Sequence, residues 1–170
     1  AGAYENDNGT SKEVKIWDIS QGDLEVSGAD NWYVTCTTTE YHITVAANAT
    51  GTIYLDGVKI DLRTVAAKNP IDLAVGANVT INSLTSSQLL ASFATETTVG
   101  MAAIHVPEGA TVAVTGVLSA DGGFALRGSN ATDALGGNGG NGAGAGIGGT
   151  GALGGAGVDI EKTAAKNAHN

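Results

Sequence analysis

The organising pattern of this chain is clearest in Ile71-Asp72-Leu73-Ala74-Val75-Gly76-Ala77-Asn78-Val79-Thr80-Ile81-Asn82-Ser83. Aliphatic and polar residues alternate, stop at a small turn with Gly and Ala, and then alternate again. The same order returns in Ile104-His105-Val106-Pro107-Glu108-Gly109-Ala110-Thr111-Val112-Ala113-Val114-Thr115-Gly116, and Ile43 to Leu55 is a third copy with two extra residues in its turn. Short alternating runs joined by small-residue corners and repeated along a chain are typical of stacked β-strands.

We predict an all-β fold, a short parallel β-helix or β-solenoid with right-handed coiling and a Gly-rich loop near the C-terminus. Equivalent residues of successive coils would then stack about 4.8 Å apart. An antiparallel sandwich with Gly-rich hairpins is the alternative, but the matched corners Gly76-Ala77 and Gly109-Ala110 favour the repeat. The expected aliphatic columns are Ile43, Ile71 and Ile104, then Val45, Leu73 and Val106, then Leu55, Ile81 and Val114.

The composition excludes several classes of function. The chain has 170 residues, a formal net charge of −9 and eight scattered Lys and Arg residues, which are too few to follow a phosphate backbone. We therefore expect no binding to nucleic acid. No run approaches the roughly 20 apolar residues of a membrane-spanning helix, so we expect no insertion into a membrane. Cys36 is the single cysteine and predicts no disulfide framework.

The chain divides into one domain and two ends. Residues 1–13 are predicted to be a polar leader, residues 14–161 one β-solenoid domain, and residues 162–170 a tail or linker. Within the domain, 13 of residues 136–157 are Gly. We expect this Gly-rich segment to be a tightly wound, ordered loop, because the strand pattern resumes in Val158-Asp159-Ile160. Leu84 to Val99 is predicted to be a short helical or irregular excursion.

The chain resembles a family of repetitive domains in large bacterial cell-surface proteins. The resemblance is carried by Ala145-Gly146-Ile147-Gly148-Gly149, by Ile104 to Thr111, by Ser119-Ala120-Asp121-Gly122-Gly123 and by the strand Ile53 to Asp61. It implies a secreted or cell-wall location, a carbohydrate-binding or adhesin-like role, and neighbouring domains in a longer chain. It implies no catalytic residues.

Sugar binding is the specific activity with the most support, because exposed aromatic rings stack on sugar faces while polar groups hydrogen-bond the hydroxyls. The candidate ligand-binding residues are Trp32, Tyr33, Tyr41, Tyr54 and Asp56. Alternation along its strand directs Tyr54 outward. The competing interpretation is that these few aromatic residues cap the ends of the core.

Calcium is the one metal with candidate ligands, since the side chains near the Gly-rich segment carry oxygen. We expect a possible calcium site at Asp121, Asn130 and Asp133, and no other cofactor. The spacing matches neither an EF-hand loop nor the calcium-binding nonapeptide repeats.

Three classes of function stay open. The preferred hypothesis is a non-catalytic surface module that binds a glycan or another host ligand. The alternative is a polysaccharide lyase or hydrolase fragment, for which the outward acids Asp56, Asp61 and Asp72 with Lys59 and Arg63 are the available groups. The third is a structural scaffold whose ends self-associate.

Overall fold

The computed structural model describes residues 2–5, 11–130 and 137–157. The predicted final strand at 158–160 and the predicted tail at 162–170 lie outside the described residues. Thirteen strands, β1 to β13 in chain order, cover Gly2–Glu5, Ser11–Asp18, Leu24–Val26, Trp32–Thr35, Thr37–Thr38, Ile43–Val45, Thr52–Leu55, Lys59–Asp61, Ile71–Leu73, Asn78–Leu90, Ile104–His105, Thr111–Asp121 and Ile147–Gly148.

The strands form two sheets between which the chain passes repeatedly. The larger sheet contains β2, β4, β5, β7, β8, β10 and β12 in parallel, with β1 added to β2 as an antiparallel edge. The smaller sheet contains β3, β6, β9, β11 and β13, all parallel. Among the residues with a described position, helix is limited to one turn of 3-10 helix, Ile19–Gln21. Along the described ranges, no helix has the length and hydrophobicity needed to cross a bilayer.

Aliphatic columns hold the sheets in register. Ile43, Ile71 and Ile104 pair directly across β6, β9 and β11, as predicted, and all three are fully buried. In the larger sheet Ile81 pairs with Val114 as predicted, but the position of Leu55 in the column is wrong by two residues, because Ile81 lies opposite Ile53. A fully buried aliphatic side chain contributes about 1.5–3 kcal/mol, so these columns account for much of the core stability.

The predicted fold class, a short right-handed β-solenoid, is wrong. Equal coils would place β7 and β8, which flank the corner at Asp56 and Gly57, on separate faces. Instead β10 pairs with β7 through its first half and with β8 through its second half, so both strands lie in one sheet. The observed class is a predominantly β protein with two parallel sheets of seven and five strands and an antiparallel edge strand. Parallel sheets usually rely on helical connections, whereas most connections between the sheets here are corners and short loops.

The long strand β10 also corrects a second prediction. The sequence favoured a helical or irregular excursion over Leu84 to Val99, but β10 continues through Leu90. Ser83 and Ser87 flank an irregularity in its pairing with β12, and both are buried. Ser87 Oγ accepts a hydrogen bond of 3.1 Å from the backbone N–H of Val58, so a buried polar group is satisfied where the ladder shifts.

The described part of the Gly-rich segment is ordered by its backbone. Gly142 N–H donates to Ala152 at 2.7 Å, Gly139 N–H to Gly155 at 2.8 Å, and Gly144 N–H to Gly123 at 2.9 Å. A Cβ atom on Gly140 would lie 1.7 Å from the carbonyl oxygen of Leu126. Glycine is therefore required here because extended backbones pack directly on each other.

The predicted leader is partly built into the sheet. Gly2–Glu5 forms β1, which pairs with the beginning of β2, while residue 1 and residues 6–10 are outside the described ranges. Near this end of the core, Trp17 and Trp32 pack against the buried cluster. At the other end, Val112 and Val114 of β12 are only partly buried. The core is therefore closed by indole rings at its first strands and is more open at β12.

Candidate functional site

The structure brings three of the predicted sugar-binding residues into one region. Tyr33 and Tyr54 are cross-strand partners on β4 and β7. The Tyr33 hydroxyl donates to one carboxylate oxygen of Asp56, and the Thr85 hydroxyl donates to the other at 2.8 Å. The Tyr33 hydroxyl, with a smaller effect from Thr85, holds the pKa of Asp56 below its usual value. Both carboxylate oxygens of Asp56 thus accept hydrogen bonds from within the protein.

The other predicted aromatic residues are not gathered into an exposed platform. Tyr54 is only 4 % exposed, and its burial raises the pKa of its phenol. Trp32 and Tyr41 pack against the core, and Lys15 Nζ lies 5.5 Å from the centroid of the Trp32 ring. These three side chains therefore pack within the described structure, and Tyr54 lies inside the larger sheet between β4 and β10 rather than at its end.

A cleft of about 360 Å³ lies elsewhere on the larger sheet. Cross-strand pairing sets its floor, because one row contains Lys59, Gln88 and Ser119 and the next contains Asp61, Leu90 and Asp121. We call this the β8–β10–β12 cleft, and its lining residues are Lys59, Arg63, Gln88, Leu90, Ala91, Phe93, Asp121, Gly122 and Phe124.

An aromatic pair forms one wall of the β8–β10–β12 cleft. The rings of Phe93 and Phe124 stack with centroids 4.9 Å apart and planes 7° from parallel. The backbone aligns them, since Ala94 N–H donates to the Phe124 carbonyl at 2.9 Å. Phe124 is 68 % exposed. The protein thus holds an apolar ring in a fixed position at the mouth of a polar cleft.

Arg63 and Asp61 form a two-point ion pair at the cleft. Arg63 Nε donates to Asp61 Oδ1 at 2.8 Å, and Nη2 donates to Oδ2 at 2.7 Å. Hydrogen bonding from Arg63 lowers the pKa of Asp61, and the same contact raises the pKa of Arg63. The Arg63 side chain is 46 % exposed and that of Asp61 17 %. The pair keeps Asp61 ionised and orients the guanidinium group.

The remaining polar side chains of the cleft make fewer hydrogen bonds within the protein. Asp121 accepts a hydrogen bond of 3.1 Å from the Ser119 hydroxyl. Over the described ranges, the Lys59 ammonium and the Gln88 amide have no side-chain hydrogen bond. They are therefore available to a ligand together with the donors of Arg63 that Asp61 does not use.

Sequence reasoning identified part of this cleft. Lys59, Asp61 and Arg63 were named, but only as groups for an enzyme. Gln88 and Phe93 were missed because their segment was assigned to an excursion. The alternation Ser87-Gln88-Leu89 was the available signal, since it places Gln88 outward on a strand. No local pattern in the sequence indicated Phe124, which follows the end of β12.

The structure describes two of the three proposed calcium ligands, so the calcium site stays a prediction. Asp121 lies in the β8–β10–β12 cleft and Asn130 is exposed in the following segment, while Asp133 is outside the described residues. Among the residues with a described position, no group of three or more His, Cys, Asp and Glu side chains could hold a metal. Asn141, on the Gly-rich segment, donates from its amide nitrogen to the carbonyls of Thr95 and Thr98, which is a structural role.

A second, more open groove of about 350 Å³ lies on the smaller sheet. Glu25, Thr44, Asp72 and His105 follow each other in one outward row across β3, β6, β9 and β11. His105 Nδ1 lies 2.7 Å from Asp72 Oδ1. The groove has no aromatic side chain in its lining, so it offers less to a sugar ring than the cleft does.

Comparison with protein-family models, with curated proteins and with solved structures found no match for this chain.

Proposed function

We propose that this chain is a non-catalytic module that binds a glycan in the β8–β10–β12 cleft. The observation that carries the proposal is the stacked pair Phe93 and Phe124 beside Arg63, Gln88 and Asp121. Sugar sites combine an aromatic face with a few oriented polar groups, and this cleft has both. Its volume of about 360 Å³ is in the lower part of the usual range for ligand pockets, which suits one or two sugar rings.

Each wall of the cleft matches a different part of a sugar. The exposed face of Phe124 suits the C–H groups of a pyranose ring. The Gln88 amide donates and accepts, so it can bond a hydroxyl in either sense, and the Asp121 carboxylate accepts from hydroxyls. Because the ion pair with Asp61 holds Arg63, its remaining N–H groups are oriented before the ligand arrives, which reduces the entropic cost of binding.

We also propose a secreted or cell-surface location for the module. The support is the composition, which is low in charge and rich in small and β-forming residues, and the resemblance to bacterial surface repeats described above. Neighbouring domains of a longer surface protein are then its expected covalent partners.

Phe124→Ala tests the proposal because it removes the exposed ring from the cleft. Glycans that bind the unmodified chain on a glycan array should lose about tenfold or more in affinity for the variant in calorimetry. Leu153→Ala is the matched control, since Leu153 is 71 % exposed and does not line the cleft. Equal glycan affinity for the unmodified chain and Phe124→Ala, or no glycan bound by the unmodified chain, would refute the proposal.

An enzyme is less well supported by the same cleft. Glycoside hydrolysis generally needs two carboxylates on either side of the bond. Of the described residues that line the cleft, Asp121 is the only acid, and both oxygens of nearby Asp61 are held by Arg63. We therefore expect no release of reducing ends from a bound polysaccharide. Release that Asp121→Asn abolishes would establish the enzyme instead.

A further inference from the structure

We infer that the β8–β10–β12 cleft selects sugars that carry a carboxylate, and that Lys59 is the residue that recognises it. The inference rests on the proposed glycan binding and adds the class of ligand. Its basis is the difference between the two basic residues of the cleft, since Arg63 is ion-paired and, in the described structure, Lys59 is not.

Arg63 is already neutralised by its neighbour. Two of the five guanidinium N–H groups bind Asp61, and both oxygens of Asp61 are used in return. The two charges therefore largely cancel at short range. Arg63 retains hydrogen-bond donors for a hydroxyl, but its charge is a poor determinant of ligand charge.

Lys59 differs from Arg63 in its immediate surroundings. Its cross-strand neighbours in the outward row are Thr37 on β5 and Gln88 on β10, and neither is acidic. Asp61 is the nearest acid along its own strand, but Lys59 is the weakest of the influences that lower the pKa of Asp61, whose two oxygens bind Arg63. In the described structure the ammonium group has no ion pair within 4 Å. Lys59 is half-buried in the cleft floor. A half-buried cation that makes no direct ion pair favours an anionic group on the ligand.

The polar groups around Lys59 specify a sugar acid rather than a general polyanion. Asp121 carries a negative charge in the same cleft, so a densely charged ligand would be repelled at that end. A uronic acid has one carboxylate at the edge of its ring and hydroxyls along the rest. Its carboxylate meets Lys59, its hydroxyls meet Gln88 and Asp121, and its ring face lies on Phe124.

The overall charge of the protein supports a local recognition mechanism. At a formal net charge of −9 the chain repels polyanions at long range. At physiological salt the screening length is about 8 Å, so distant acids contribute little once the ligand is in the cleft. Selection must therefore come from contacts at Lys59.

The test compares oligogalacturonate with its methyl ester, which differ only in the ionised carboxylates. The unmodified chain should bind the free acid about tenfold more tightly than the ester, as expected for one charge-assisted contact. Lys59→Gln should bind both oligomers with the affinity that the unmodified chain has for the ester, and Lys59→Arg should restore part of the preference. Lys68→Gln is the control with the same change in charge, because Lys68 Nζ contacts the Glu40 carbonyl and does not line the cleft.

The outcomes separate this inference from the proposed function. Equal binding of acid and ester, with both reduced by Phe124→Ala, would overturn the role of Lys59 and leave glycan binding intact. Binding of neutral glycans alone on the array would do the same. Stronger binding of a polysulfated glycan than of oligogalacturonate would contradict selection of a carboxylate sugar. Failure to bind any glycan would remove both proposals. Thermal unfolding of each variant checks that a loss of binding is not a loss of folding.

Discussion

Two corner glycines show how a single residue sets the local geometry. Gly76 and Gly109 have φ values of 80° and 83°, a region that L side chains rarely adopt. They are adjacent in space, since Gly76 N–H donates to the Gly109 carbonyl at 3.2 Å. The repeat identified these two corners as equivalent from the sequence alone, because only glycine turns the backbone there without strain.

The contact between Tyr33 and Asp56 could not be predicted in the same way. The two residues are 23 positions apart, and their contact depends on the pairing of β4 with β7 and on the corner after Leu55. Both residues were named as ligand-binding candidates because of their chemistry. Chemistry alone did not reveal that they satisfy each other.

Asp56→Asn tests the electrostatic role of this contact. Asp56 has a lowered pKa in the folded protein, so it stabilises the fold above the pKa of the unfolded chain and loses this effect as the pH falls through the folded value. The variant should be less stable than the unmodified chain at pH 7, and the difference should shrink as the pH falls through the lowered pKa of Asp56. Thermal unfolding measured across this pH range gives the comparison.

Glu108→Gln serves as the control for that series. Glu108 is exposed, and the described part of the structure gives it no hydrogen-bond partner. Its substitution should change the stability little, because the side chain has no described hydrogen bond to lose. A stability difference for Asp56→Asn that is constant from pH 7 to pH 2 would show that the effect is steric and not electrostatic.

At the scale of elements, the structure of the Gly-rich segment was the hardest to predict from its sequence. Its composition is also that of a flexible linker. Order in it depends on contacts with Gly123, Leu126 and Ser129, which no local periodicity reveals. The sequence hints at structure through the strand pattern at Val158 to Ile160 and through the interruptions by Ile147 and Leu153, and Ile147 does extend the column that begins at Ile43.

Gly140→Ala tests whether direct backbone packing orders this segment. The added methyl group would meet the Leu126 carbonyl, so the variant should lose about 1–3 kcal/mol of stability. Gly155→Ala is the matched control, because no atom lies within 4 Å of its Cβ position. It should be neutral or slightly stabilising through the entropy of the unfolded chain. Similar denaturation midpoints for both variants would contradict the packing that we describe.

The strand β10 explains why only half of the candidate site was predictable. Its first half repeats the alternation of the earlier copies, whereas its second half begins with Leu84-Thr85-Ser86-Ser87, where a register shift hides the alternation. The polar groups of β8 were recognised because their strand alternates regularly. Gln88 and Phe93, which follow the register shift, were not predicted.

For the whole molecule, the aliphatic column of the smaller sheet was predicted correctly, but the fold class was not. The register of β6, β9 and β11 follows from matching aliphatic positions, which a sequence displays directly. The sequence does not display that β7 and β8 join one sheet through β10. This depends on a single long strand, β10, whose pairing register with β12 shifts between Ser83 and Ser87, and strand pairing over such separations is decided by tertiary packing.

The two sheets also show where the protein could self-associate, which is the third hypothesis. β12 has 11 residues and, among the described strands, pairs only with β10. Unpaired edges of this length can add strands from another chain. Gly116, which has a φ of 87° and lies at the register shift, interrupts the edge in the middle and makes it a poorer template.

The most direct measurement for the account is a titration of the isotope-labelled chain with its tightest glycan, followed by amide chemical shifts in NMR. Binding in the β8–β10–β12 cleft predicts that the largest shifts fall on Lys59 to Asp61, on Gln88 to Leu90 and on Gly122 to Phe124. Shifts confined to Tyr33, Tyr54 and Asp56, or to the groove at Glu25 and Asp72, would contradict the cleft as the binding site.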